Sequence, residues 1–382
     1  MDSNASTRLP GLDHLRALAI LLVFFYHYGH LFPHPQWTFD IGRFGWSGVD
    51  LFFVLSGYLI ATGLFSEIKR TGKLSLSGFY SRRFWRIVPP FLFVVALYFL
   101  FPSLRERGAP APLWKFLTFT QNIGLDLSQH GSFSHAWSLC IEEQFYALFP
   151  LLLLIFYRRA VKCGWWLWLL LVLGGIAVRY ATWQIHLAPQ LEAERFPFEW
   201  LKWIYYPTWC RLDGLLGGIA IAALRAFKKE RFDRIVRQSN WLLLFGLAAL
   251  TAAYFICYDQ QTMAASVAGY PLVAFGYSLL LLGALAPQSI LQRRSKITER
   301  VAILSYGLYL VHKFTIYGVQ RILKGWIDEE SNAMLLCCFF TCLLVAWLLH
   351  RLVERPAQQL REKLSIENRK PGQPSPLPSH LP

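Results

Sequence analysis

The sequence predicts an all-α polytopic membrane protein of about ten transmembrane helices, with N- and C-termini both cytoplasmic. Three observations predict it. Apolar stretches of spanning length recur from one end of the 382 residues to the other. Charge is sparse: 16% of residues are charged, 55% are hydrophobic, and mean hydropathy is +0.35. The basic residues also gather in alternate connections. About 20 apolar residues in a helix cross a bilayer, and backbone in hydrocarbon must satisfy its own hydrogen bonds, so helices are the expected spans.

In chain order the candidates are 15–32, 46–66, 86–102, 137–157, 164–183, 201–224, 240–258, 269–287, 301–320 and 332–352. The third is short and its start is poorly marked, because Pro89 and Pro90 lie near it. LWKFLTFTQNI (113–123) is too short to span and reads as a re-entrant or surface segment.

The net charge of +15 invites a nucleic-acid reading, and its distribution excludes one. With the N-terminus inside, the cytoplasmic connections hold Lys69, Arg70, Lys73, Arg82, Arg83 and Arg86, then Arg158, Arg159 and Lys162. The next two hold Lys228, Lys229, Arg231, Arg234 and Arg237, then Arg293, Arg294, Lys296 and Arg300. The opposite connections hold only Arg43, Arg105, Arg107, Lys115, Arg195, Arg321 and Lys324. Positive charge marks the inner side of a membrane protein, so this asymmetry is topology. The expected partner is membrane lipid, not nucleic acid.

The seven cysteines fall in or beside apolar spans and read as small buried hydrophobes, with no metal-ligand spacing. MDSNASTRLPGLDHL carries no cleavable signal pattern. Residues 1–357 are expected to form one membrane domain. Residues 358–382, ending in RKPGQPSPLPSHLP, are expected to be a polar, Pro-rich, disordered cytoplasmic tail.

Polar residues inside the spans carry the functional signal. Arg16 and His27 stand eleven apart on LRALAILLVFFYHYGHLF, almost three helical turns, so both leave one face about 16 Å apart. A cation and an imidazole in such a span mark a functional site by default; an interfacial arginine and a packing histidine are the plainer alternative. Asp50 lies a turn into WSGVDLFFVLSGYLI, and Glu142 and Glu143 lie in HAWSLCIEEQFYALFP. Arg211 and Asp213 lie in CRLDGLLGG, and His312 and Lys313 in YGLYLVHKF. Each ionised group at mid-bilayer costs about 2.5–3.5 kcal/mol or more, so several at one depth imply a shared polar cavity. For Asp50, Arg211 and Asp213 the alternative is pairing that holds helices together, and the glycines of these strings read as close helix approach. In KRTGKLSLSGFYSRRFWRIVPP (69–90), Arg82, Arg83 and Arg86 interleave with Tyr80 and Trp85. Such forks suit phosphates, although a positive-inside anchor is the commoner account of the loop by itself.

The strings GLDHLRALAILLVFFYH, SGVDLFFVLSGYLI, RRFWRIVP, HAWSLCIEEQFY, RLDGLLGG, YGLYLVH and ERPA occur in that order. Across 11–357 they resemble the acyltransferase 3 family of bacterial inner-membrane O-acyltransferases. The resemblance implies transfer of an acyl group, commonly acetyl, from cytoplasmic acyl-CoA to a hydroxyl of a carbohydrate or glycolipid acceptor, such as a surface polysaccharide or peptidoglycan. By position, Arg16 and His27 match the family's Arg/Lys-x10-His pair, Arg83 and Arg86 its Arg-x-x-Arg, and Glu142 and Glu143 its fourth string. His14 and Cys140 depart from it where many members carry a small residue. The chain stops short of the hydrolase-like domain that some relatives carry, so the acceptor is expected to be modified at the membrane unit.

These expectations make a mechanism. Arg16 and Arg82, Arg83 and Arg86 hold the acyl-CoA; His27 is the general base, oriented by Glu142, with Glu143 beside it. Asp50, Trp137, Arg211, Asp213 and His312 line the substrate side, and Arg211, His312, Lys313 and Trp137 are the oxyanion candidates. An acyl-enzyme route competes with direct transfer. The rival class is a transporter or flippase of lipid-linked saccharides, which would show discontinuous helices in two related halves. A non-catalytic scaffold is a third reading. The loops 33–45, 102–136 and 184–200, rich in aromatics, are where acceptor choice is expected to lie.

Overall fold

The computed structural model describes residues 9–367, apart from the side chains of 158–163 and 365–367. Arg158, Arg159, Lys162 and residues 368–382 of the expected tail therefore lie outside the description. Among the described residues the chain is helical, with no strand beyond the isolated bridges Gly108–His130 and Pro110–Ser132.

Among the described residues, seven helical stretches are long and apolar enough to cross a membrane: Gly45–Thr71 (α2), Leu76–Leu100 (α3), Ser134–Tyr157 (α4), Gly164–Gln190 (α5), Ser239–Ile256 (α7), Ala265–Ala284 (α8) and Asn332–Leu364. The last consists of α10 (Asn332–Leu349), a wide turn at His350–Glu354 and α11 (Arg355–Glu367). The expected spans 15–32 and 301–320 fall in α1 (Pro10–Leu31) and α9 (Lys296–Leu323). Both have spanning length, but Arg16, His27, His312 and Lys313 dilute their apolar character.

The expected span 201–224 is not one helix. A wide turn at Leu201–Tyr205 runs out at Pro207, whose ψ of 137° leaves the helical region, and the helix resumes as α6 (Asp213–Phe227). Proline offers no N–H to a continuing helix, which is why the break falls there. Two other boundaries differ from expectation. α3 begins at Leu76, capped by the Ser75 hydroxyl, and runs through Pro89 and Pro90. The tail expected to start at 358 begins inside α11, where Ala357 is buried.

The expected spans 137–157 and 164–183 belong to one unbroken helix, Trp137–Thr182, of 46 residues, which contains most of α4 and α5. In α5, Trp168 Nε1 donates to the Leu216 carbonyl and Arg179 reaches Asp213, while Glu142 of α4 sits at the depth of Ser56. α2 and α6 then meet almost backbone to backbone. A Cβ on Gly57 would run into the Leu215 carbonyl, and one on Gly218 into the Val54 carbonyl. This is the close approach the glycine strings anticipated, and it is what lets helices associate where lipid is as apolar as the side chains. α1 packs against α2 and α9, and α9 against α10. Six cysteines are described; all are free, and five of them are buried.

The connection after α3 turns inward. Its short helix Leu113–Leu117 buries Phe116, while Gln121, Asn122, Ser132 and His135 are fully or almost fully buried. Irregular backbone at such depth persists only where protein satisfies it. Gln144 Nε2 of α4 donates to the Phe119 carbonyl at 2.7 Å and to Asn122 Oδ1 at 3.0 Å, and Asn122 Nδ2 donates to the Tyr206 carbonyl.

Gly218→Leu should overpack the α2–α6 contact and destabilise the protein by about 1–3 kcal/mol or more. Thermal unfolding of the detergent-purified protein checks this, and an unchanged midpoint would refute the backbone contact.

Candidate active site

Two adjoining chambers share walls from α1, α2, α4 and α9, with α3 closing the small one and the connections around 106–127 and 201–206 closing the large one. The larger holds about 360 Å³ and is lined by Tyr26, His27, His30, Trp46, Glu106, Arg107, His135, Trp137, Tyr205, Tyr206 and Lys313, among others. It opens past His30 and Arg107, both exposed. The smaller, about 110 Å³, is lined by Arg16, Ser56, Arg83, Arg86, Ser138, Glu142, Glu143, Tyr146 and Tyr306. Val49 and Tyr309 belong to both and form the partition. The Tyr309 hydroxyl lies 2.6 Å from Ser138 Oγ and donates to the His135 carbonyl at 2.7 Å, so the partition is tied to the start of α4.

The helical period explains this division. Along α1, Arg16 faces the small chamber, and Val23, Tyr26, His27 and His30 face the large one. Along α4, Trp137 faces the large chamber; Glu142, Glu143 and Tyr146, one to two turns on, face the small one.

The histidines are coupled. His312 Nδ1 lies 3.1 and 2.9 Å from the Leu308 and Tyr309 carbonyls, which only accept, so Nδ1 carries the proton. His312 Nε2 is then an acceptor, 3.0 Å from His27 Nδ1, which also lies 3.0 Å from the Val23 carbonyl. His27 Nδ1 must therefore carry its ring's proton, and His27 Nε2 keeps a lone pair on the chamber side. This tautomer is assigned from the hydrogen-bond partners. The expected His27–Glu142 pairing is not what forms. Glu142 accepts from Ser56 Oγ at 2.9 Å and from the Tyr146 hydroxyl at 3.1 Å in the other chamber. The reason is that Glu142 lies more than a turn down α4 from the histidine level.

The remaining expected residues divide. Arg16, Arg83 and Arg86 meet Glu142 and Glu143 in the small chamber, with the Arg83 guanidinium 5.5 Å from the Tyr146 ring centre. Arg82 is not brought to it; half exposed, it faces Glu67 at 3.7 Å. Trp137 lines the large chamber, and His312 stands behind His27.

Asp50, Arg211 and Asp213 line neither chamber, which corrects the substrate-side expectation. Arg211 Nη2 donates to both Asp50 oxygens at 3.0 and 2.9 Å. Its guanidinium also lies 4.0 to 6.0 Å from the ring centres of Tyr270, Tyr205, Trp137 and Trp46. Arg179 donates to both Asp213 oxygens at 2.7 and 3.1 Å. A charge this deep needs a charged partner, and both carboxylates are taken as partners. Behind the aromatic wall, the Arg211 pair stiffens the chamber rather than touching its contents.

Sequence reasoning passed over His135, Glu106, Tyr309 and Arg179. His135 is 2% exposed, neither ring nitrogen has a hydrogen-bond partner among the described residues, and its ring centre lies 5.8 Å from that of His27. Arg179 carried the signal used for Arg16, a cation within an apolar stretch. Glu106 sits in an irregular connection, where no periodicity assigns a face, and His135 in the tight turn Ser134–Ala136 that opens α4.

Fold and site together define a multi-pass helical membrane protein with a histidine chamber and an arginine–glutamate chamber adjoining in its core. Residues 9–351 match the family described as an acyltransferase domain, and the chain belongs to that family, acyltransferase 3. It is 31% identical over 326 residues to the O-acetyltransferase OatA of Staphylococcus aureus, covering 80% of this chain and 50% of the relative. It is 28% identical over 376 residues to the peptidoglycan O-acetyltransferase OatA of Listeria monocytogenes, covering 92% of this chain and 56% of that protein. The chain thus spans about half the length of these relatives. No solved structure matches it.

Arg179→Met leaves Asp213 a buried, unpaired charge and should destabilise the protein by about 3–5 kcal/mol, while Arg179→Met with Asp213→Asn should recover much of the loss. Unfolding midpoints in detergent compare the two; equal losses would show that the ion pair is not what matters.

Proposed function

We propose that this protein is an O-acyltransferase that moves an acyl group, acetyl in the first instance, from cytoplasmic acyl-CoA to a hydroxyl of a carbohydrate-type acceptor. One observation carries the reading: His27 Nε2 keeps its lone pair at the chamber, next to a chamber of arginines. A base held in one tautomer between two compartments suits a reaction whose substrates arrive from opposite sides. Family membership and O-acetyltransferase relatives support the same reaction class. The peptidoglycan substrate in the Listeria protein's name makes peptidoglycan the first acceptor to try.

In this reading the protein has ten spans with both termini cytoplasmic in a bacterial inner membrane. α1, the broken segment up to α6, and α9 join the seven apolar helices in crossing it. Arg83 and Arg86 hold the phosphates of acyl-CoA, with Arg16 deeper along the arm, and the thioester reaches the partition at Tyr309. The acceptor lies among the aromatic walls of the large chamber. His27 Nε2 takes the hydroxyl proton as the oxygen attacks the thioester carbonyl, and the imidazolium returns that proton to the departing thiolate. His312 acts through His27 as a positioning residue. Glu142 and Glu143 balance the arginines, Trp137 is acceptor wall, and no metal enters the scheme.

Free CoA released by membranes supplied with acetyl-CoA and peptidoglycan fragments tests this. His27→Ala should lower acceptor-dependent release by about 10²–10⁴-fold at equal membrane abundance. His312→Leu should lower kcat less and leave the KM for acetyl-CoA unchanged, whereas Arg83→Gln should raise that KM. Turnover that survives His27→Ala would remove the base assignment and leave the enzyme class standing.

A further inference from the structure

The large chamber contains a second chemical group suited to acyl transfer. Lys313 follows His312 on α9 and lines the same cavity as His27. Its side chain is 2% exposed, its Nζ lies 2.9 Å from Glu106 Oε1, and it donates to Ser134 Oγ at 3.3 Å. Glu106, 3% exposed, comes from the inward-turned connection after α3, and the same Oε1 accepts the Phe133 N–H at 3.1 Å. An ammonium has three donors, and these two contacts leave one.

Attack on a thioester places a negative charge on the carbonyl oxygen, and some donor has to meet it. His135 lines the same chamber with both ring nitrogens unpartnered, but a neutral imidazole N–H lacks the full charge of an ammonium, and the remaining candidates are weaker or lie elsewhere. Arg211 lies behind the aromatic wall on Asp50. His312 uses Nδ1 on backbone carbonyls and Nε2 as the acceptor from His27. Trp137 can offer only a neutral N–H, and Arg107 stands exposed at the mouth.

We propose that Lys313, held by Glu106 and Ser134, is the catalytic residue that stabilises the oxyanion formed beside His27; this rests on the acyltransferase reading above. As the acceptor oxygen forms its bond to the carbonyl carbon, its proton passes to His27 Nε2 and the carbonyl π pair moves onto oxygen, facing the free Lys313 N–H. That pair returns as the carbon–sulfur bond breaks, and the thiolate takes the proton from His27. Lys313 gains and loses nothing. Glu106 keeps the cation in place and tempers its charge, so the outer connection completes the site.

A plain helix clamp would explain the same ion pair, and the double variant Glu106→Gln with Lys313→Met separates the two, because it leaves no buried charge unpaired. With acetyl-CoA and peptidoglycan fragments, kcat is expected to fall about 10²–10³-fold at normal unfolding temperature and unchanged KM for acetyl-CoA. A folded double variant turning over within threefold of wild type, beside an inactive His27→Ala, overturns the proposal alone. Lys313→Arg against Lys313→Gln gives the second comparison, which needs no double variant. Arginine should retain turnover within tenfold and glutamine lose it a hundredfold, and equal activities would overturn the proposal. Absence of turnover by the wild type removes the acyltransferase reading and this inference with it.

Discussion

A charge inside a bilayer has to find a partner within the protein, and three buried pairs organise this molecule around that constraint. Arg211–Asp50 ties the start of α6 to α2, Arg179–Asp213 ties α5 to α6, and Lys313–Glu106 ties α9 to the inward-turned connection. Each joins segments far apart in the chain. Lys313–Glu106 lines the large chamber and Arg211 backs its aromatic wall, so the walls are held by ion pairs as well as by apolar packing. Removing one partner of such a pair exposes the other to hydrocarbon, which makes these positions intolerant for reasons separate from chemistry.

The two chambers follow from the same geometry. Space lies on both sides of Tyr309 and Val49, and the helical repeat assigns polar residues to one side or the other. Arginines with glutamates collect in the small chamber, imidazoles with an ammonium in the large one. The resulting separation puts an arginine–glutamate compartment and a histidine–lysine compartment a few residues apart along each helix. The proposed reaction needs both, and Tyr309 is the wall a thioester has to pass.

His27 pairs with an imidazole and not with a carboxylate, the partner the sequence led one to expect. A second neutral imidazole, itself pinned by backbone carbonyls of its own helix, sets the tautomer of the first. The pairing needs no buried negative charge. It does need α1 and α9 to keep their register, which the packing of the two helices supplies.

The sequence by itself determined the class of fold, most of the helical spans that keep an unbroken apolar run, and the close approach at Gly57 and Gly218, and it singled out Arg16, His27, Arg83, Arg86, Glu142 and Trp137, which stand at the two chambers. These were legible because a polar group in a spanning helix is costly enough to be conspicuous, and because helical spacing converts sequence separation into a face. Tertiary structure alone decided which charges meet. Asp50, Arg211 and Asp213 looked like site residues and proved to be mutual partners or partners of Arg179, since a one-dimensional string cannot show which carboxylate lies across from which cation. It also decided that His312, not Glu142, faces His27, and that Glu106 reaches the core from an irregular connection. Such a segment has no period to read; its depth is set by the hydrogen bonds that Gln144, Asn122 and Lys313 offer it once the helices have assembled.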